Sequence, residues 1–235
     1  MADDRVATVA SDLPARLAEV RARIDRAGAD PDRTTLVAVT KGFGPEVVRA
    51  ALDAGLHDIG ESYVQELEAK AAALDEAADG ADAVPPRWHF IGRLQRNKVR
   101  KAAPYVACWH SVDRLSLGAE IARWAPGASV FAQVNTTGES QKGGCPPAQL
   151  PALLGGLRDL GLDVRGLMTI GPAGSQNGSR NAFRSLRTMA ENHHLRELSM
   201  GMTDDLELAI EEGATVVRIG SGLFGPRPGR NGMRH

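Results

Sequence analysis

One lysine stands at the end of a short apolar run, where a reactive amine would be well placed. Residues 36–39 are apolar, Lys41 follows, and Gly42, Gly44 and Pro45 end the run. Such a run predicts a strand buried on both faces, as in a parallel sheet, with Lys41 at the carboxyl end where ligands collect. Two interpretations stay open: an ordinary lysine with its ammonium in water, or a partly desolvated amine that can form a Schiff base with a carbonyl compound.

Two segments near the C-terminus have the composition of an anion-binding site. Segment 199–205 reads Ser-Met-Gly-Met-Thr-Asp-Asp before a predicted helix, and segment 218–222 reads Arg-Ile-Gly-Ser-Gly after a predicted strand. Backbone N–H groups of glycines and of helix starts can approach an anion closely. Loops seven and eight of a barrel often bind phosphate, so the pair of segments indicates a phosphorylated ligand. Two ordinary glycine-containing turns are the alternative.

Arg218 is the first residue of the second segment and precedes its glycines. Its guanidinium could face a ring that extends from the phosphate, or it could be an ion-pair partner in the barrel mouth. A Schiff-base lysine, a phosphate site and an arginine between them together describe pyridoxal 5′-phosphate (PLP), whose pyridine nitrogen needs a partner.

The elements that must position these residues alternate along the chain. Apolar residues recur at helical spacing from residue 6 to residue 24, which predicts a first helix over about 5–27. Eight strands follow, each but the last before a helix, and the pattern is that of a (β/α)8 barrel in one domain, residues 1–235. The predicted strands lie at 36–41, 57–60, 88–92, 105–110, 129–134, 164–168, 195–199 and 216–219.

Composition excludes several other classes of function. Basic and acidic residues number 28 and 29, so the net charge of −1 offers no footprint for nucleic acid or anionic membrane. Cys108 and Cys145 form no Cys-x-x-Cys motif or Cys/His grouping in the sequence, which predicts neither a disulfide framework nor a metal site. The chain has no apolar stretch of membrane-spanning length and no signal-peptide pattern, so we expect a soluble cytoplasmic protein.

Several motifs in order resemble the pyridoxal-phosphate homeostasis protein family, which is related to the barrel domain of alanine racemase. They include Gly-Glu-Ser-Tyr-Val-Gln-Glu and Trp-His-Phe-Ile-Gly-Arg-Leu-Gln-Arg-Asn-Lys. The resemblance covers most of the chain, from about residue 36 to about residue 225. The matching stretches are 37–41, 60–66, 88–98, 166–168, 198–205 and 217–221.

The resemblance implies roles for particular residues. Lys41 would hold PLP as a Schiff base and Arg218 would face the pyridine nitrogen. An arginine there leaves the ring nitrogen unprotonated and the ring a weak electron sink, which disfavours most amino-acid chemistry. The other implied cofactor-binding residues are Ser62, Met168, Ser199, Thr203, Gly220 and Ser221.

The implied function is a carrier or reservoir for PLP that delivers it to apo-enzymes, with little catalysis of its own. In alanine racemase, a second catalytic base comes from an additional C-terminal domain. We expect that domain to be missing here, because only residues 226–235 follow the last predicted segment. We therefore also expect a monomer. An amino-acid racemase built from the barrel alone, and a Schiff-base aldolase acting on a phosphorylated sugar, remain alternatives.

Three further positions have an ordinary structural interpretation beside a functional one. Ser62 stands where the family usually has asparagine, so it is either a poor contact to the cofactor's ring hydroxyl or a plain helix cap. Lys142 matches a family loop lysine proposed to handle a second cofactor molecule, or is a solvated loop lysine. His89, on a predicted buried strand, is either a hydrogen-bonded core residue or a base.

Overall fold

Eight short strands pair in parallel, in chain order, and the last pairs with the first in the computed structural model of the protein. The structure describes residues 2–30, 32–76, 84–139, 143–172 and 174–227. The predicted (β/α)8 barrel is confirmed. The strands are β1 Thr35–Val39, β2 Asp58–Glu61, β3 Arg87–Phe90, β4 Val106–Val112, β5 Ser129–Gln133, β6 Asp163–Met168, β7 Glu197–Ser199 and β8 Val216–Ile219.

Helices follow the strands and form the outer layer of the barrel. The helices are α1 Ala2–Arg26, α2 Pro45–Asp53, α3 Val64–Glu76, α4 Val99–Ala102, α5 Leu115–Trp124, α6 Leu150–Asp159, α7 Gln176–Asn192, α8 Leu206–Glu211 and α9 Ser221–Phe224. Two 3₁₀ turns, Arg96–Lys98 and Pro147–Gln149, lead into α4 and α6.

The first helix precedes the barrel and covers the seam between its last and first strands. Its apolar residues at spacings of three and four are buried from Val9 to Ile24, and the helix continues through Pro14. The stripe packs against α2, α8 and α9. Burial of one leucine of this stripe contributes about 1.5–3 kcal/mol, so the stripe fixes α1 against the elements that follow β7 and β8.

Two local predictions differ from the structure. A basic helix predicted over 94–103 is reduced to the 3₁₀ turn and the four residues of α4. Leu94 is buried outside any helix, and its carbonyl accepts a hydrogen bond from Arg114. A short helix, α9, follows β8 where the sequence indicated only a glycine-rich turn. Both differences arise from contacts with distant residues, which hydropathy spacing does not report.

The barrel interior is filled by side chains from several strands. One interior cluster contains Val37, Cys108, Phe131, Met168 and Val216. Such layers make the inside of a (β/α)8 barrel a packed core, so ligands bind at the carboxyl ends of the strands.

Among the described residues, no helix combines the length and the apolar character that crossing a membrane requires.

Candidate functional site

Lys41 lies at the carboxyl end of β1, as the sequence predicted, and its side chain is half-buried. Burial lowers the pKa of its ammonium below the ordinary value of 10.5, and the positive charges of Arg227 and Arg218 lower that pKa further. Glu61 and Glu66 act in the opposite direction. A lowered pKa increases the fraction of neutral amine, which is the form that attacks a carbonyl group.

A buried ion pair lies beside the residue that precedes Lys41. Lys70 from α3 is 2 % exposed, and its Nζ lies 2.5 Å from Oε1 of the fully buried Glu61. The same Nζ donates to the Thr40 carbonyl at 2.8 Å, while the Thr40 hydroxyl donates to Glu61 Oε1 at 2.7 Å. Burial raises the pKa of Glu61, and Lys70 partly opposes that increase. The three side chains thus form one hydrogen-bonded unit beneath the turn.

The residue after Lys41 is attached to the same helix. The N–H group of Gly42 donates to Glu66 Oε2 at 2.7 Å, and that oxygen lies 3.6 Å from Lys70 Nζ. Glu66 and Lys70 are one helical turn apart on α3, so both face β1. The backbone is therefore held on both sides of Lys41 by charged side chains of a single helix.

Arg218 extends from β8 into the buried part of the barrel mouth. Its Nη1 donates to Ser199 Oγ at 2.7 Å and its Nη2 donates to the Thr169 carbonyl at 2.9 Å. Burial lowers the pKa of Arg218 to about 10, which leaves it a cation at neutral pH. Its charge also acts on Lys41, so the lysine and the arginine share one electrostatic environment.

Below Arg218, a chain of hydrogen bonds runs through the barrel interior. Ser199 Oγ lies 2.8 Å from His110 Nδ1, His110 Nε2 lies 2.8 Å from His89 Nδ1, and His89 Nε2 lies 2.9 Å from Asp58 Oδ1. Burial keeps the pKa of His110 well below its ordinary value, so this ring is neutral. Although burial alone would raise the pKa of Asp58, hydrogen bonds from His89 and from an arginine lower it.

These charge states constrain the chain. Asp58 can only accept, so His89 donates through Nε2, and the neutral His110 ring offers one donor and one acceptor nitrogen to His89 and Ser199. Ser199 Oγ accepts from Arg218 at the far end. Ser199 is fully buried, and its hydroxyl is occupied by Arg218 and His110 inside the barrel rather than at the surface of loop seven.

The loops after β7 and β8 meet at a pair of hydroxyl groups. Ser221 Oγ and the N–H group of Gly222 both donate to Thr203 Oγ1, each at 3.1 Å. Gly220 directly precedes α9. Gly201 has φ +90°, and a Cβ there would lie 2.4 Å from the Cβ of Ala209. The close packing of loop seven against α8 therefore depends on a glycine, and the two loops together present hydroxyl and backbone N–H groups at the mouth.

Loop seven is also tied to the first helix. Arg23 of α1 donates to the Thr203 carbonyl at 2.8 Å and makes two hydrogen bonds to the carboxylate of Glu207, at 2.6 and 2.7 Å. The hydrogen bonds that Arg23 donates to Glu207 raise the pKa of Arg23. The helix in front of the barrel thus contributes directly to the position of Thr203.

Three predicted positions remain to be placed, namely Met168, Ser62 and Lys142. Met168 is fully buried in the interior cluster, and its strand pairs with β7 at Ser199. Ser62 is partly exposed two residues before α3, so Tyr63 rather than Ser62 directly precedes the first helical residue. Lys142 lies outside the described residues, and its predicted role stays a prediction.

One grouping was missed by the sequence analysis, which expected no cysteine and histidine cluster. Ligand atoms of His89, Cys108 and His110 lie within 4.8 Å of one another. Cys108 and His110 are two apart on β4 and so share its inner face, and Cys108 pairs with His89 across the sheet. That alternation was the available signal. In this arrangement the two rings are hydrogen-bonded to each other. Burial raises the pKa of the Cys108 thiol to about 12 and lowers the pKa of His110, so the thiol stays protonated and the His110 ring is neutral.

A separate open cleft of about 720 Å³ lies at the opposite, amino-terminal end of the strands. Its lining includes both basic and acidic residues, among them Arg165 and Glu197, which form an ion pair with each other. Chemistry in barrels of this type takes place at the carboxyl ends of the strands, so we place the candidate site at Lys41 and Arg218 despite the size of this cleft.

Comparison with known proteins defines the class of this barrel. The model of the family "Alanine racemase, N-terminal domain" matches residues 15–228. A pyridoxal phosphate homeostasis protein of Pseudomonas aeruginosa is 43% identical over 230 residues, which cover 94% of this chain and 97% of that protein. The chain therefore belongs to the pyridoxal phosphate homeostasis protein family, within the wider group of alanine racemase N-terminal domains.

Solved structures agree with this assignment. PipY of Synechococcus elongatus, solved without PLP, is 36% identical with a TM-score of 0.80, and covers 91% of this chain and 100% of its own. A second structure of PipY, with PLP bound, is 35% identical with a TM-score of 0.78 and the same coverage. More distant lysine decarboxylases, at 16–18% identity, share the fold.

Proposed function

We propose that the protein binds PLP as a Schiff base on Lys41 and acts in PLP homeostasis as a carrier or reservoir. The observation that carries this proposal is the lowered pKa of a half-buried Lys41 beside the buried cation Arg218. The PLP-bound structure of PipY, a relative of nearly the same length, supports the choice of cofactor. The proposed unit is the whole chain, residues 1–235, as a single domain.

The residues at the mouth fit the chemical groups of PLP. An amine with lowered pKa suits an aldehyde, a guanidinium suits a pyridine nitrogen, and a cluster of hydroxyl and N–H groups suits a phosphate. In this assignment Lys41 holds the aldehyde carbon and Arg218 faces the ring nitrogen. The phosphate lies at Thr203, Gly220 and Ser221.

Three predicted cofactor residues receive more specific roles. Ser199 orients Arg218, because its hydroxyl is held between that guanidinium and His110. Met168 supports the ring from the buried side, and Ser62 lies near the edge of the mouth beside Glu61. We propose that Ser199 does not contact the phosphate and affects its binding only through the conformation of loop seven.

The same arrangement supports storage rather than turnover. When bound, PLP stabilises negative charge on a substrate carbon, and it does so best when its ring nitrogen is protonated. Arg218 remains a cation at neutral pH and donates hydrogen bonds to Ser199 and to the Thr169 carbonyl. It therefore keeps its protons and does not protonate the ring nitrogen. We therefore propose little or no amino-acid chemistry, with PLP and transient apo-enzymes as partners of a cytoplasmic monomer.

Attachment can be tested by borohydride reduction of the protein after incubation with PLP. We expect one pyridoxyl phosphate per chain on the peptide that contains Lys41, and none at that position in Lys41→Ala. A sugar-derived mass on the same peptide would instead support an aldolase. The absence of any adduct would contradict the proposal.

The carrier role needs its own test because the family model carries the name of a racemase domain. The loaded protein is mixed with an apo-enzyme that depends on PLP, and recovery of that enzyme's activity is followed together with the loss of PLP from Lys41. Steady racemisation of alanine or another amino acid, abolished in Lys41→Ala, would identify the racemase alternative.

A further inference from the structure

The two backbone neighbours of Lys41 are held by α3 through charged side chains. Lys70 donates to the carbonyl of Thr40 at 2.8 Å, and Glu66 accepts the N–H of Gly42 at 2.7 Å. Both contacts are to main-chain atoms, so they fix the direction in which the lysine side chain leaves the backbone. A helix 23 or more residues further along the chain thereby determines the geometry of the turn.

All three protons of the Lys70 ammonium have an oxygen to face. The Thr40 carbonyl lies at 2.8 Å, Glu61 Oε1 at 2.5 Å and Glu66 Oε2 at 3.6 Å. An ammonium group has three donors and no acceptor, so two donors make hydrogen bonds and the third faces a carboxylate oxygen just beyond hydrogen-bond distance. Lys70 and Glu61 are both withdrawn from water, which is costly, and apolar residues could fill the same space at equal or lower cost.

The charges of the same residues also act on Lys41. Glu61 and Glu66 both raise the pKa of Lys41, whereas Arg218 and Arg227 lower it. Lys70 pairs with one of these carboxylates and lies near the other, so it reduces the net negative charge that faces Lys41. The main-chain contacts and the nearby charges thus both favour a Lys41 amine that is held in a fixed direction.

We propose that Lys70, together with Glu61 and Glu66, is a positioning unit for Lys41, which we name the lysine clasp. This inference deepens the proposed function and rests on it, since a Lys41 amine held in a fixed direction would serve to capture PLP. None of the three residues touches the cofactor in this assignment. They act through the backbone of Thr40 and Gly42.

The first test compares variants of Glu66, whose partly exposed side chain can be changed with the fold intact. Glu66→Gln keeps an oxygen that can accept the Gly42 N–H, whereas Glu66→Leu removes it. In the PLP-free protein we expect the Gly42 amide to exchange with solvent roughly 10- to 100-fold faster in Glu66→Leu, because a hydrogen bond to a charged acceptor is lost. Glu66→Gln should change this rate much less.

The second test follows the attachment of PLP by its Schiff-base absorbance. We expect Lys70→Met and Glu66→Leu to slow attachment between about 10-fold and about 100-fold, because the amine is no longer held in its reactive direction. Glu212→Gln is the matched control. It disturbs a remote buried carboxylate paired with three arginines and should slow attachment little, even though it lowers stability.

The two readouts separate the failure of the clasp from the failure of the proposed function. Normal Gly42 exchange and normal attachment in both Lys70→Met and Glu66→Leu would overturn the clasp while leaving Lys41 as the binding residue. If the unaltered protein fails to take up PLP, the proposed function fails, and the exchange rate of Gly42 still decides whether the clasp holds the turn.

Discussion

The two ends of the candidate site are built in opposite ways. At the lysine end, Lys41 is flanked by main-chain contacts to Lys70 and Glu66, and the Lys70–Glu61 ion pair is buried. Removing such charges from water is expensive, and the result is a fixed local geometry. The lysine end is therefore rigid at a cost in stability.

At the proposed phosphate end, which the loops after β7 and β8 form, the two loops contact each other through neutral groups near the surface. Thr203 and Ser221 share a hydrogen bond between hydroxyls, and the side chain of Ser221 is exposed. Arg23 holds the loop through the Thr203 carbonyl. Groups of this kind exchange readily with water and with anions. For the proposed binding of PLP, we infer that the bond to Lys41 would set its position, while the proposed phosphate end would govern how readily it enters and leaves.

The largest expected effect on stability is at the lysine end. Lys70→Met leaves Glu61 buried without its cation and should lower the free energy of unfolding by about 3–5 kcal/mol. Urea denaturation of the PLP-free protein measures it. The double variant Glu61→Gln/Lys70→Met removes both charges and keeps an acceptor for Thr40, so it should lose less than Lys70→Met alone. An equal or greater loss of stability in the double variant would show that the loss in Lys70→Met does not come from the unpaired charge of Glu61.

A smaller effect is expected from the glycine that shapes loop seven. Gly201→Ala forces a residue with a side chain to adopt φ +90° and brings its Cβ against Ala209. We expect a loss of about 1–3 kcal/mol in stability, with weaker binding of PLP because Thr203 moves. Thermal unfolding and equilibrium titration measure the two effects. Unchanged affinity at reduced stability would place Gly201 outside the phosphate end.

Arg23 offers a way to disturb the phosphate end alone. Arg23→Met removes the contacts to Thr203 and Glu207 and should weaken PLP binding about 5-fold, equivalent to about 1 kcal/mol. Binding of pyridoxal, which has no phosphate, should be unchanged. Arg26→Met, on the same helix but paired with the exposed Glu19, is the control. Equal weakening for both ligands would contradict the division of the site into two ends.

The smallest and most local prediction concerns pH. The rate of PLP attachment should rise with pH around a midpoint below 10.5, because burial lowers the pKa of Lys41 and only the neutral amine reacts. Between the folded and unfolded pKa values of Lys41 the unfolded chain binds more protons, so this group makes the free energy of unfolding rise with pH. Glu66→Gln should lower the midpoint further, since Glu66 raises the pKa of Lys41. A midpoint at or above 10.5 would refute the assignment.

Much of the fold could be predicted from sequence because each strand is a short apolar run bounded by turn residues. The N-terminal helix was equally clear from its stripe of apolar residues between Val9 and Ile24. The shortening of α4 and the presence of α9 were not predictable, because they depend on packing with elements far along the chain. Local patterns indicate which face of an element is buried, but they do not indicate which other element that face packs against.

The site shows the same division between local and distant information. Lys41 and Arg218 were found because the ends of strands identify candidate positions in a barrel. Lys70 and Glu66 were missed, since α3 reads as a Glu- and Ala-rich helix with ordinary i,i+4 charges. Only the fold brings Lys70 to a carbonyl 30 positions earlier in the chain. Buried charge on a helix that looks solvated is not visible in composition.

The most direct measurement is the intact mass of the protein after incubation with PLP and reduction with borohydride, followed by peptide mapping. We predict a single pyridoxyl phosphate on Lys41, with slower but correctly placed labelling in Lys70→Met and no specific labelling in Lys41→Ala. Labelling of other lysines with Lys41 unmodified would contradict it.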